Sequence, residues 1–182
     1  MADSDTLKKH NHFYGDGRGD EHPLGHLGQF VSLVAFLVVW GLDSFVLRFS
    51  TFLAPSVPLA LRLAVAGLIA AIAVYFSLKG HVVVQGGPDH PGRPVRDGAF
   101  ARVRNPIYLG SLLFYIGLAI STLSLLALAV FESIFLFYNY IASYEERRLV
   151  QIYGDVYRDY RRKVPKWIPR LRPARFGPLN GE

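Results

Sequence analysis

The stretch IYLGSLLFYIGLAISTLSLLALAVFESIFLFYNYIA, Ile107 to Ala142, carries one charged side chain, Glu132. A helix crossing the bilayer's hydrocarbon layer needs about 20 mostly apolar residues. The stretch is therefore too long for one crossing and just sufficient for two compact ones, turning at Ser121, Thr122 and Ser124. Upstream, Gln29 to Leu47 supplies another apolar run, interrupted by Asp43. Val57 to Leu78 supplies a further one, interrupted by Arg62. The predicted fold is an all-α integral membrane protein with about four transmembrane helices, near residues 29–47, 57–78, 106–121 and 124–143. A polar tail, 1–27, precedes a membrane domain, 28–182, whose last part, 144–182, is a water-facing carboxyl segment.

Composition agrees: of 182 residues, 51% are hydrophobic and 19% charged, with mean hydropathy +0.24. These values lie away from those of an ordinary soluble domain. The first apolar run starts late, behind a His- and Gly-rich leader with no small-residue cleavage site, and reads as a retained anchor rather than a removable signal. His10, His12, His22 and His26, near Asp16 and Asp20, admit a metal reading. Their spacing repeats no compact ligand pattern, so a solvated leader and no metal are expected. The chain has no cysteine, which removes disulfides, thiolate nucleophiles and cysteine metal sites together.

Charge orients the spans. The amino tail, the segment Lys79 to Arg104 and the carboxyl tail hold 3, 5 and 10 of the 20 Lys and Arg residues, while Arg48 and Arg62 fall toward the opposite side. This 18 to 2 division places both termini in the cytoplasm. It also accounts for the net charge of +6 through topology and anionic lipid headgroups. No nucleic-acid recognition motif accompanies the charge, so no nucleic-acid partner is expected.

The loop Gly80 to Arg104 contains Gly86, Gly87, Pro88, Pro91, Gly92, Pro94 and Gly98 and cannot be a regular helix. Asp97-Gly98 suggests a tight turn that sets Phe100. Next, Arg104-Asn105-Pro106 is a compact helix-start signal: Asn suits the N-cap and Pro the first helical position. Such an end with an adjacent arginine is either an anion site or simply the start of a span beside a topology-setting cation. Glu145 and Glu146 close the fourth span, where they either serve a ligand or pair with nearby basic residues on a solvated helix. Beyond them Leu149, Ile152, Tyr153, Val156, Tyr157 and Tyr160 recur at helical spacing. They predict an amphipathic helix on the membrane surface, weakened at Gly154 and ended by Pro165 and Pro169.

Within the spans, Asp43 and Arg62 fall near the non-cytosolic ends of adjacent helices, and an ion pair between them is the economical account of two costly charges. Glu132 lies about 20 Å along its helix from Glu145, too deep to share a boundary pocket.

In order, Gln85, Val95, Gly98, Phe100, Arg104-Asn105-Pro106-Ile107-Tyr108-Leu109-Gly110, the hairpin, Glu145-Glu146, Gly154, Tyr157, Tyr160, Val164-Pro165 and Ile168-Pro169 resemble the isoprenylcysteine carboxyl methyltransferase family and the wider group of membrane phospholipid methyltransferases. The resemblance covers about half the chain, Gln85 to Pro169. It implies a methyltransferase using S-adenosylmethionine in a cytosol-facing pocket capped by the basic loop and carboxyl tail. It further implies that Gln85, Val95, Phe100, Arg104, Asn105, Pro106, Tyr108 and Glu145 line the cofactor pocket, with Arg104 and Glu145 nearest the chemistry. The methionine carboxylate suits the helix start and Arg104, the ribose suits Glu145, and the sulfonium suits aromatic faces such as Phe100 or Tyr108. Two positions depart in type: Asn105 stands where the family commonly has His, and Phe100 where it has Tyr. Ile141 stands where the isoprenylcysteine enzymes carry a substrate-binding arginine, which points away from a prenylated protein tail and toward another lipid-like acceptor. A phospholipid amine N-methyltransferase and a non-catalytic membrane adaptor gripping anionic lipid are the alternatives. Tags at both termini should stay protected from external protease in intact cells; digestion of either one overturns the four-span arrangement.

Overall fold

The structure, a computed structural model, describes residues 25–85 and 94–176, the side chains of His26 and Gln85 excepted. His10, His12, His22, Asp16 and Asp20, and the loop residues Gly86, Gly87, Pro88, Pro91 and Gly92, lie outside the described residues. Four long helices and no strand occur among the described residues. Helix α1, Gly25–Gly41, widens into a π-helical turn, Leu42–Leu47, that stops at Arg48 in the left-handed region (φ 51°). Helix α2, Leu59–Gln85, is entered through a short 3-10 turn, Ala54–Ser56. Helix α3, Pro106–Thr122, and helix α4, Leu125–Lys163, form the hairpin.

Leu27–Leu47, Leu59–Val84 and Leu125–Lys163 are long and apolar enough to cross a membrane. The fourth apolar helix, α3, has 17 residues, about 26 Å of rise against a hydrocarbon layer of about 30 Å. The hairpin turns where the serines predict: Leu123 takes the left-handed conformation (φ 52°), and the Ser124 hydroxyl caps α4 by accepting the Ala127 amide at 3.0 Å.

Helix α3 packs most closely on α2, through small residues. A Cβ at Gly110 would lie 2.1 Å from Ser77 Oγ and 2.8 Å from the Ala73 carbonyl oxygen, and one at Gly80 would lie 2.6 Å from Ile107 Cγ1. In lipid the hydrophobic effect does not drive helices together, so such close backbone approach is the main source of attraction. Helices α1 and α4 meet α3 around a core of Phe36, Leu112, Tyr115, Ala119, Ile134 and Tyr138. Lipid-facing aliphatics such as Val31, Leu61 and Leu68 stay exposed. Gly80 beside Pro106 marks one end of the bundle and Gly117 beside Ala66 the other; these are called the site end and the far end below.

The far end corrects one expectation, because Asp43 and Arg62 do not pair. The buried Asp43 carboxylate accepts the Ser50 amide at 2.9 Å together with the hydroxyls of Ser50 and Ser124. Arg62 instead donates to the Ser121 carbonyl at 3.1 Å. The turn after α1 brings a backbone amide and hydroxyl to the carboxylate, so neutral donors satisfy it without a cation. Ser50 also accepts the Leu126 amide at 2.8 Å, so one knot ties the end of α1 to the start of α4. Glu132 lies exposed on the surface of α4.

At the site end, α4 continues past the expected end of its span and then reverses. Gly154 sits at φ 55°, ψ −126° between two helical stretches. Arg161 lies 15 residues beyond Glu146 in sequence, about 22 Å away along a straight helix, yet its Nε is 3.6 Å from Glu146 Oε2. The return stretch does not lay its tyrosines on the membrane as the amphipathic pattern predicts. Tyr157 and Tyr160 are buried with Val164 against Leu149, Tyr153, Ala174 and Phe176. The chain's own tail thus covers Tyr157 and Tyr160, while Ile152 of the same stripe stays exposed.

Gly110→Val should lower helix-bundle stability by about 1–3 kcal/mol, whereas Gly67→Ala, whose Cβ would meet nothing within 4 Å, should leave it unchanged; thermal melting in detergent checks both. At Gly154 there is also open space for a Cβ, so Gly154→Ala should cost about 1–3 kcal/mol through backbone strain alone, read as faster amide exchange confined to residues 155–176.

Candidate active site

The site is built on the first turn of α3. Asn105 occupies the N-cap position and Pro106 the first helical position, which supplies no amide hydrogen. The Asn105 side chain does not cap the helix. It donates instead across the bundle, Nδ2 to Glu146 Oε1 at 3.4 Å. The α3 start thus keeps the positive end of its dipole facing the water boundary.

Glu146, 5% exposed on α4, is the hub. Arg104 Nε lies 3.2 Å from Glu146 Oε1 and Arg161 Nε 3.6 Å from Oε2. The Arg104 Nε hydrogen is buried and is not aimed at an acceptor, so this contact is an ion pair without an aligned hydrogen bond. The arginine is held by its backbone, whose amide donates to the Pro165 carbonyl at 3.0 Å. Its Nη1 reaches the Arg161 carbonyl at 3.4 Å.

The neighbouring Glu145 points to a different partner. Successive helical side chains are about 100° apart, and Tyr108 donates its hydroxyl to Glu145 Oε1 at 2.6 Å. An edge contact with Tyr138 at 5.5 Å between centroids fixes the Tyr108 ring. One and two turns deeper, Ser143 and Asn139 hold Lys166, whose ammonium donates to Asn139 Oδ1 at 2.8 Å, the Asn139 carbonyl at 3.1 Å and Ser143 Oγ at 2.7 Å. Burial pushes the Lys166 pKa down; the Glu146 carboxylate opposes this, and Arg104, Arg161 and Arg147 add to it.

Loop and tail close over this cluster. The 3-10 turn Gly98–Ala101 begins at Gly98 with φ 57°, a conformation natural to glycine. Tyr160 donates to the Phe100 carbonyl at 2.9 Å. The Arg170 amide bonds to the Arg102 carbonyl at 3.0 Å, and the Ala174 amide to the Ala101 carbonyl at 2.8 Å.

Of the residues singled out in the sequence, Arg104, Asn105, Tyr108 and Glu145 come together with Glu146. Pro106 is buried at the α2–α3 seam. Phe100 joins through its carbonyl. Val95 is half-buried one residue before Arg96, whose guanidinium lies over the Phe176 ring. Gln85 ends α2, and its side chain lies outside the described residues. Arg161, Lys166 and the central place of Glu146 were missed. A signal was available for part of this: Asn139, Ser143 and Glu146 recur at i, i+4 and i+7, a polar stripe on one face of an otherwise apolar helix.

Among the described residues no cluster of three His, Cys, Asp or Glu side chains suits a metal. The donor set does fit S-adenosylmethionine: a guanidinium and a helix start for a carboxylate, an acidic side chain for a diol, and aromatic rings for a sulfonium.

Residues 56–156, more than half of the chain, match the phospholipid methyltransferase family. A protein-S-isoprenylcysteine O-methyltransferase of Schizosaccharomyces pombe is 34% identical over 78 residues, 42% of this chain and 33% of that protein. A methanethiol S-methyltransferase of Pseudomonas deceptionensis is 33% identical over 88 residues, 45% of this chain and 32% of that protein. Methanethiol S-methyltransferase 2 of Bradyrhizobium diazoefficiens is 32% identical over 97 residues, 53% of this chain and 37% of that protein. The chain thus spans about a third of the length of the curated relatives it matches. No solved structure matches it. The match covers more than half of the chain, four apolar helices agree with it, and the chain belongs to the phospholipid methyltransferase family.

Proposed function

We propose that this protein is an integral-membrane methyltransferase that uses S-adenosylmethionine to methylate a lipophilic or lipid-like acceptor, with its site facing the cytosol. The observation that carries the reading is the meeting of Arg104, Asn105 and Tyr108 with Glu145 and Glu146 at one end of the bundle. When bound, S-adenosylmethionine supplies an electrophilic methyl group on a sulfonium, and displacement at that carbon mainly demands alignment and exclusion of water. Arg104 and the start of α3 would hold a carboxylate, and Glu145 would hold ribose hydroxyls. Tyr108, fixed by Glu145 and Tyr138, would present its ring to a cation. The return stretch 155–163 and the tail would exclude water from the cytosolic side, leaving the bilayer as the route for an acceptor.

The acceptor is limited by residue type. Ile141 is buried and offers no charge, and the nearest cation at that level, Lys166, spends its three hydrogens on Asn139 and Ser143. An acceptor whose binding needs a free guanidinium at that depth is disfavoured. Two of the relatives are named for S-methylation of methanethiol and one for O-methylation of a protein S-isoprenylcysteine, and these acceptors share a sulfur atom that carries an apolar group. A phospholipid amine is the second reading, suggested by the family's description. Headgroup methylation in purified lipids separates the two.

Calorimetric titration of the folded protein with S-adenosylhomocysteine should show binding that weakens about 10- to 100-fold in Arg104→Ala and in Glu145→Ala, the usual loss for a hydrogen bond to a charged group. No binding by the wild type would sink both enzyme readings and leave the membrane adaptor. Profiling of lipids with a labelled methyl donor should then show label in a lipophilic product.

A further inference from the structure

The carboxyl tail carries a second group of cations that the methyl-transfer site does not use. After α4 ends at Lys163, the chain does not leave the bundle. Trp167 stacks near Phe135 at 5.6 Å between centroids and donates to Asn139 Oδ1 at 3.1 Å. Asn139 lies seven residues, about 10 Å, before Glu146 along α4, so the segment around Lys166 and Trp167 packs against α4 below the level of the charged cluster. Beside it Ile168 and Leu171 are 80% and 94% exposed, which is costly in water and natural against acyl chains.

From this depth the tail climbs past an open hollow of about 570 Å³ lined by Lys163, Arg170, Leu171, Arg172 and Arg175. Its frame is fixed by backbone: the Arg170 and Ala174 amides bond to the carbonyls of Arg102 and Ala101, Arg102 Nη1 donates to the Leu171 carbonyl, and Arg170 Nη1 to that of Lys163. Among the described residues Lys163 alone of the four lining cations has a carboxylate within 4 Å, that of Asp159 at 2.8 Å. Arg170, Arg172 and Arg175 are exposed on a stretch whose backbone is tied to the loop before α3, and they form a cluster of positive charge without a counterion from the chain's described part, next to two aliphatic side chains.

We propose that this hollow binds the phosphate of an acidic phospholipid, whose acyl chains run beside Ile168 and Leu171. The ligand follows from charge at the boundary together with grease below it, since a soluble phosphate would leave Ile168 and Leu171 with no partner. Each arginine near an anionic surface contributes about fivefold in affinity. The site is independent of the methyl-donor reading, because none of its lining residues belongs to the Arg104–Glu146 cluster. It borders that cluster, however: Arg102 and Ala101, which the tail grips, lie on the loop that closes over it.

The test is a titration of the full-length protein in detergent with phosphatidylglycerol and, separately, phosphatidylcholine, with bound lipid counted by native mass spectrometry. The wild type should retain phosphatidylglycerol in preference to phosphatidylcholine. Arg170→Gln/Arg172→Gln/Arg175→Gln should lose that preference, with about 100-fold weaker binding, while the charge-matched Arg148→Gln/Arg158→Gln/Arg162→Gln should stay within about threefold of wild type. If the triple variant fails to fold, Arg172→Gln alone, which breaks none of the tail's hydrogen bonds, should still weaken binding about fivefold. Equal loss in both triple variants, no change in Arg172→Gln, or displacement of the lipid by inorganic pyrophosphate at equal concentration would each overturn the assignment.

Discussion

The arrangement at the site end depends on one buried carboxylate. Glu146 is almost wholly removed from water, and a charge in that position is tolerated only with close partners. Its partners come from three separate stretches: Arg104 and Asn105 from the loop and the start of α3, and Arg161 from the returning end of α4. To deliver Arg161 the chain must reverse, and the reversal needs a backbone conformation that glycine alone adopts without strain, at Gly154. Loop, hairpin and tail are thus registered against one another by electrostatics, whereas the spans are registered by packing. Removing the carboxylate would leave two arginines facing each other across a partly dry gap, a larger penalty than the loss of any single contact.

The two ends of the bundle solve the same problem differently. At the far end, Asp43 is satisfied by a backbone amide and two hydroxyls, and the result is a knot of neutral donors around one carboxylate. At the site end, cations and carboxylates are brought together, and a second acidic side chain, Glu145, accepts the Tyr108 hydroxyl. Neutral hydrogen bonds suit a static joint. Charged groups near the water boundary can exchange a protein partner for a ligand of like charge, as the proposed uptake of a charged cofactor would require. The far end therefore fixes the helices, and the site end keeps the polarity that a ligand can use. Between them the Gly110–Ser77 approach holds α2 and α3 close enough that loop and helix start share one small volume.

Much of this was legible in the sequence. The apolar runs gave the helices, and the serine-rich break at Ser121 to Ser124 gave the hairpin, because these features depend on local hydropathy and capping. The convergence of Arg104, Asn105 and Tyr108 with Glu145 followed from an even number of crossings, which returns the chain to the same side. The separate partners of Asp43 and Arg62 were not legible, because the expected ion pair assumed that a buried charge seeks the opposite charge. The turn residue Ser50 lies outside both spans, and nothing in its immediate neighbours marks it as the donor.

The amphipathic stretch after Glu146 shows where pattern reading reaches its limit. The spacing of Tyr157 and Tyr160 is correct for one apolar face, but periodicity states only that a face needs covering and not what covers it. A straight helix would have offered that face to lipid. The bend at Gly154 turns it inward, so that Val164, Ala174 and Phe176 do the covering, and the same bend decides which of two adjacent glutamates meets the cations. Glu145 and Glu146 are indistinguishable in sequence; about 100° of helix rotation separates them, and the side from which Arg104, Asn105 and the returning Arg161 approach makes Glu146 the hub and leaves Glu145 to Tyr108. A single glycine thus sets the cover of the site and brings the second arginine to its buried acid, a consequence of chain direction that no count of charges or apolar residues contains.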